Sequence, residues 1–283
     1  FQIRDFTIGK DNPTFIIAEV GNNHNGDIDL AKKLVDLSVD ANADCVKFQM
    51  RDLTSLYVND ENSSFDLGTQ YTLDLLRKFQ LTDDELFEVF DYANSKNIIP
   101  LCTPWDLRSF QKLENYGLEG YKVASADFTN FEMLEALCET GKPLICSTGM
   151  STENEIRSSV NFLKNKCGQY ALLHCNSTYP TPFKDVNLNY LPRLEELADS
   201  VIGYSGHEQD LEACMIAVTL GANVIERHIT LDHDMWGTDQ KSSLEVVAMD
   251  MLKKRCVNIH TMLGNYERTV SPSEREIRKK LRG

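Results

Sequence analysis

At 283 residues the chain has room for one large α/β domain, and barrels of eight βα units commonly take about 250 residues. Its 42% hydrophobic content fits a sizeable core, and its formal charge of −14 argues against nucleic acid or an anionic membrane as the main partner. No apolar run approaches the roughly 20 residues of a membrane span, and the opening FQIRDFTIGK lacks a signal peptide's apolar stretch, so the chain reads as cytoplasmic.

An anionic substrate is compatible with that charge only if its pocket is locally basic. The chain begins at Phe1 without an initiator Met, which reads as a processed or excised segment. The first ten residues look like an accessory hairpin. Eight short apolar runs follow in chain order: Thr14–Val20, Asp44–Gln49, Ile98–Cys102, Gly120–Ser125, Pro143–Ser147, Tyr170–Cys175, Ser200–Tyr204 and Ala222–His228. They are nearly continuous hydrophobic runs, as parallel strands covered by helices require.

Helical patterns fill the gaps. Leu30, Ala31, Leu34, Val35 and Val39 share one face at helical spacing. Thr82 and Thr152 each precede an acidic first turn and suit the N-cap position. A last long helix over Leu244–Leu263 stops at Gly264, a reasonable C′ residue. Eight βα units without a central break favour a closed (β/α)8 TIM barrel over a doubly wound sheet. The expected division is a barrel with its N-terminal hairpin over 1–265, then a polar linker or tail over 266–283.

The eight cysteines form no CxxC pair or compact framework. Several sit inside strand-like runs, where Cys acts as a small buried hydrophobe; that usage fits a reducing compartment and not a zinc–thiolate site.

In a barrel of this kind the chemistry lies at the C-terminal ends of the strands. Those ends carry Glu19, Lys47 and Gln49, Thr103, Lys122, Ser125 and Asp127, Ser147, Ser177 and Tyr179, Ser205 and His207, and Glu226 and His228. Taken singly, a strand-end Lys is usually a solvated side chain and a lone His usually hydrogen-bonded scaffold. Two lysines, two histidines and several carboxylates on one rim resist that explanation.

His207 and His228 end neighbouring strands, which lie about 4.8 Å apart, so both imidazoles can reach one metal ion. Two nitrogens among hydroxyls and carboxylates make an open site that suits Mn²⁺ or Mg²⁺ better than structural zinc. Lys47 and Lys122, with Thr103, Ser125, Ser147 and Ser205, supply two charges and several hydroxyls, a cradle for a small phosphate-carboxylate. A strand-borne Lys also serves Schiff-base aldolases, provided its pKa is lowered.

Eight segments then carry a resemblance, in order along nearly the whole chain: FIIAEVGNNHNGD, CVKFQ, CTPWD, YKVASADFTN, ICSTGMS, LLHCNSTYPTP, IGYSGHE and VIERHITLDHDMWGTDQKSSLE. The chain resembles the N-acetylneuraminate (sialic acid) synthase family, with its legionaminate and spore-coat polysaccharide relatives. The resemblance implies condensation of phosphoenolpyruvate with an open-chain N-acyl amino sugar such as N-acetylmannosamine, giving a nine-carbon 2-keto acid and phosphate. It implies that Lys47, Thr103, Lys122, Ser125, Ser147 and Ser205 hold phosphoenolpyruvate. It implies that His207 and His228 hold Mn²⁺, with Mg²⁺ or Co²⁺ as substitutes. Glu19, Gln49, Asp127, Ser177, Tyr179, Glu226 and Asp239 would surround the sugar, the metal-bound water or the reacting carbons, with Glu19 the first candidate for the base.

Some members have Glu in place of Asp127 and Asn in place of Ser177, differences expected to alter sugar contacts and not the reaction. Many members continue into a small antifreeze-like domain that reaches across a dimer; the sequence stops at Gly283, about where that linker would begin, so the expectation is a catalytic barrel without that domain, acting as a homodimer. The loop Asn62–Gln70 is expected to help choose the acceptor. The rival readings are a related 3-deoxy-keto-acid synthase, a Schiff-base aldolase on Lys122, and a non-catalytic sugar-binding barrel.

Overall fold

The computed structural model describes residues 1–56, 73–265 and 267–282. The loop Asn62–Gln70 lies outside the described residues. Two short antiparallel strands, β1 (Gln2–Ile3) and β2 (Phe6–Thr7), form the expected hairpin. Eight parallel strands follow: β3 (Phe15–Glu19), β4 (Cys45–Met50), β5 (Ile99–Pro104), β6 (Tyr121–Val123), β7 (Leu144–Ser147), β8 (Tyr170–Cys175), β9 (Val201–Gly206) and β10 (Val224–His228). Helices lie between them along the chain, and first and last barrel strands pair directly, with His228 opposite Glu19. The result is a (β/α)8 TIM barrel. One seam is unladdered among the described residues: the sheet order runs from β5 through β3 and β10 round to β6, with no ladder joining β5 to β6.

Strand alternation separates two cores. Phe15, Ile17, Cys45, Ile99, Leu101, Ile145, Leu173 and Val224 fill the barrel interior, and Ile3 and Ile8 of the hairpin region pack with them. The hairpin therefore plugs the N-terminal end. The intervening residues, such as Ile16, Ala18, Val46, Cys102, Leu172 and Ile225, face outward into the larger core shared with the helices. On five of the strands the inward face turns polar two steps above the last interior hydrophobe. Ile17 gives way to Glu19, Cys45 to Lys47, Leu101 to Thr103, Ile145 to Ser147 and Val224 to Glu226.

The helices start where the sequence places them. Thr82 and Thr152 both close capping boxes, with Glu85 and Glu155 returning hydrogen bonds to the cap backbone. The last barrel helix spans Val246–Leu263 and ends at Gly264, which takes a positive φ of 56°. Most element ends fall within two residues of expectation, and two features stand out. β6 stops at Val123 and not Ser125, because Ser125–Asp127 winds into a 3-10 turn. The polar segment read as linker or tail contains a helix over Pro272–Arg282 with no buried residue. Its start is set locally: Ser271 Oγ accepts from Glu274 N and Ser271 N donates to the Glu274 carboxylate, both at 3.2 Å. No helix among the described residues is long and apolar enough to cross a membrane.

Candidate active site

The polar strand ends enclose a cavity of about 450 Å³ at the C-terminal mouth of the barrel, a size usual for small-molecule sites. Register explains the convergence. Glu19 sits beside Lys47, Gln49 beside Thr103, and Glu226 beside Ser205 across adjacent strands.

The floor is a buried charge cluster. Lys47 Nζ lies 2.9 Å from Glu19 Oε2 and 3.6 Å from Glu226 Oε2, and it donates to Thr103 Oγ1 at 3.1 Å. Lys122 Nζ donates to Ser147 Oγ at 2.6 Å and to Val123 O at 3.0 Å, and lies 3.9 Å from Glu226 Oε1. Ser205 Oγ donates to Glu226 Oε1 at 2.9 Å. Burial pushes the Glu226 carboxyl up, but Lys122 and Lys47, with the Ser205 hydroxyl, outweigh it and hold the group below the usual carboxylate range. The two lysines diverge. Burial lowers both, yet Glu19 and Glu226 carry Lys47 above its ordinary value, whereas Lys122, facing Glu226 and repelled by Lys47, stays lowered.

Beside this cluster stand the histidines, His228 two residues beyond Glu226 on β10 and opposite Glu19 across the ladder. The His207 and His228 ring centroids are 5.7 Å apart, and Tyr179 packs 4.0 Å from His207. His207 Nδ1 meets Asn176 O at 2.8 Å. A carbonyl only accepts, so Nδ1 carries the proton and Nε2 keeps its lone pair. Burial, and then His228, push the His207 pKa down to about 3. His228 Nδ1 is buried, has no hydrogen-bond partner among the described residues and lies 4.0 Å from Asp239 Oδ2. Gly21, at φ +54°, leaves the space between them open: a Cβ there would stand 3.0 Å from His228 Cε1 and 3.2 Å from Asp239 Oδ2. The His207 ring, its Nδ1 proton held by Asn176 O, and the His228 ring beside it fit an open divalent-metal site. Among the described residues no cluster of three or more His, Cys, Asp or Glu could hold a metal ion, so water and substrate oxygens would have to supply the remaining ligands.

Of the residues expected from sequence, Glu19, Lys47, Gln49, Thr103, Lys122, Ser125, Ser147, Ser177, Tyr179, Ser205, His207, Glu226, His228 and Asp239 all line this cavity. Asp127 does not. It lies in the 3-10 turn after β6 and accepts from Asn130 Nδ2 at 3.2 Å. Arg51 and Trp105 line the cavity without having been expected. The Arg51 guanidinium stacks 4.2 Å from the Trp105 ring, and both donate to Gln49 Oε1, Trp105 at 3.2 Å. With its oxygen taken by two donors, Gln49 must turn its amide nitrogen to Glu19 Oε1, 2.6 Å away. The signal available was position: Arg51 is two residues beyond Gln49, and Trp105 immediately follows β5.

Known proteins share this architecture. The chain is 39% identical over 277 residues to an uncharacterized protein of Methanocaldococcus jannaschii, covering 98% of this chain and 80% of that one. It is 37% identical to the N,N'-diacetyllegionaminic acid synthase of Campylobacter jejuni, over 93% of this chain and 81% of that enzyme. The solved N-acetylneuraminic acid synthetase of Leptospira borgpetersenii superposes with a TM-score of 0.89 at 32% identity, covering 100% of this chain and 97% of that chain. The NeuB family profile matches residues 34–268, and the chain belongs to the NeuB family.

Proposed function

We propose that this protein condenses phosphoenolpyruvate with the open-chain aldehyde of an N-acyl amino sugar, N-acetylmannosamine or a relative, to a nine-carbon 2-keto acid and phosphate. The observation that carries the reading is the meeting, in one cavity, of a buried two-lysine cradle with the His207 and His228 side chains. Lys47 and Lys122, with Thr103 and Ser147 already on their ammonium groups, would hold the phosphate and carboxylate. A bound Mn²⁺, or Mg²⁺ or Co²⁺, on His207 and His228 would act as a Lewis acid on the sugar aldehyde. C3 of phosphoenolpyruvate bonds to the aldehyde carbon, water adds at C2, and the C2–O bond to phosphate breaks. Glu19, fixed by Lys47 and Gln49, would take the proton of that water. In this reading the enzyme works in the cytoplasm as a homodimer.

The test is phosphate release from phosphoenolpyruvate with Mn²⁺, each candidate sugar in turn, and EDTA controls. Release that needs both metal and one sugar supports the reaction and names the acceptor; release independent of either contradicts it. The lowered Lys122 amine favours one rival, a Schiff-base aldolase. Borohydride inactivation in the presence of a 2-keto acid, with modification at Lys122, would support that rival instead.

A further inference from the structure

Behind the two histidines, on the helix-facing side of the wall, lies an ion pair that the proposed reaction does not use. Arg227 immediately precedes His228, and Glu208 immediately follows His207. Both side chains are 0% exposed, and Arg227 Nη1 donates to Glu208 Oε1 at 2.8 Å. The same guanidinium donates to Asp210 O at 2.7 Å and, through Nη2, to Glu208 O. Tyr204 OH donates to the second carboxylate oxygen of Glu208 at 2.8 Å. Gly206, the register partner of Arg227, makes room for the pair: a Cβ there would lie 2.8 Å from both Glu208 carboxylate oxygens.

Stability alone is a poor account of this arrangement. Taking two charges out of water is costly, and apolar replacement of such a pair is often neutral or stabilising. What the pair supplies is direction. A planar guanidinium gripping three acceptors within residues 208–210 fixes how the chain leaves His207, and it does so from the residue next to His228. Beyond the ladder and the Ser205–Glu226 hydrogen bond, the pair ties the two strand ends together at the level of the imidazoles.

We propose that the Arg227–Glu208 pair is a positioning device for the histidines: it ties the segment after His207 to the residue before His228 and so sets the imidazole separation for a divalent cation. The proposal rests on the metal reading of His207 and His228. Its test is Mn²⁺ binding without substrates, measured by electron paramagnetic resonance of free Mn²⁺, beside urea unfolding of the same samples. The apolar double variant Arg227→Met/Glu208→Leu is expected to bind Mn²⁺ about 10- to 100-fold more weakly, the usual effect of losing partners that orient metal ligands, while its unfolding midpoint falls little or rises. Glu208→Gln keeps an acceptor for Arg227 and a partner for Tyr204, and is expected to bind like the parent. Should the double variant not fold, Arg227→Lys, which keeps the charge but not the three-way grip, carries the same expectation of weakened binding. Parent-like Mn²⁺ affinity in the folded double variant or in Arg227→Lys overturns the proposal; a lowered midpoint with unchanged affinity would mark a stabilising pair only. A parent protein that binds no Mn²⁺ overturns the histidine reading itself, and the proposal with it.

Discussion

Replacing Lys47 with Met tests whether the cavity floor is a balanced charge cluster. Lys47, Glu19 and Glu226 are between 2% and 7% exposed at the side chain, and with Lys122 they make two ammonium groups and two carboxylates. Lys47→Met leaves both carboxylates buried with Lys122 as the cluster's remaining ammonium, and Lys122 sits 3.9 Å from Glu226. Removing one partner of a buried pair costs about 3–5 kcal/mol, because the remaining charge is stranded. For a domain of this size that lowers Tm by about 5–8 °C. Neutralising the stranded charge as well, in Lys47→Met/Glu19→Gln, is expected to recover about half of the loss or more, since a pair replaced whole is close to neutral. The single variant carries a pH signature. Without Lys47 the Glu226 carboxyl loses one of the two ammonium groups that hold it down, so its folded pKa rises and the variant's deficit, full at neutral pH, shrinks as the pH falls through that pKa. Urea unfolding followed by the fluorescence of Trp105 and Trp236, at neutral and mildly acid pH, reads all of this. A single variant as stable as the parent, or a double variant no better than the single, would refute the charge-balance argument.

His24 gives a second pH dependence. Burial chiefly holds its pKa down at about 4, against the opposing pull of Asp27, and Gly26 N donates to its Nδ1 at 3.1 Å. Stability is thus full above the unfolded pKa of 6.5 and lost toward about 4; between neutral pH and pH 5 the loss is about 2 kcal/mol, and His24→Asn, which keeps an acceptor, should remove that component when denaturation midpoints are compared with the parent. Thr152→Ala breaks the capping box with Glu155 and is expected to cost about 1 kcal/mol in urea unfolding; no measurable change would remove the cap from the account of that helix.

Much of this molecule is written locally. The eight strands are legible because a strand buried on both faces needs a continuous apolar run, and the two capping boxes because Thr and Glu stand three apart ahead of an apolar stripe. Strand-end polarity marks most of the cavity for the same reason: period-two alternation keeps one face inward, so Leu101 predicts where Thr103 points. Asp127 is not marked by that rule: alternation from the inward Lys122 puts it on the face of Val123, and β6 has already ended before it. The helix over Pro272–Arg282 escaped notice for another reason. Its Ser271 cap is local, but it carries no apolar stripe that a core would need. Arg227 reads as one more residue in a strand. Its partner Glu208 lies 19 positions away and one strand over, and nothing in either local pattern foretells the meeting.

The seam between β5 and β6 bears on what a bound substrate does to the barrel. Thr103 stands on one side of that seam and Lys122 on the other. A phosphate held by both would span the place where backbone pairing is missing and serve as the rung the ladder lacks. The wall would then be mechanically complete only in the loaded state, with the ligand acting as a fastener for the scaffold that binds it.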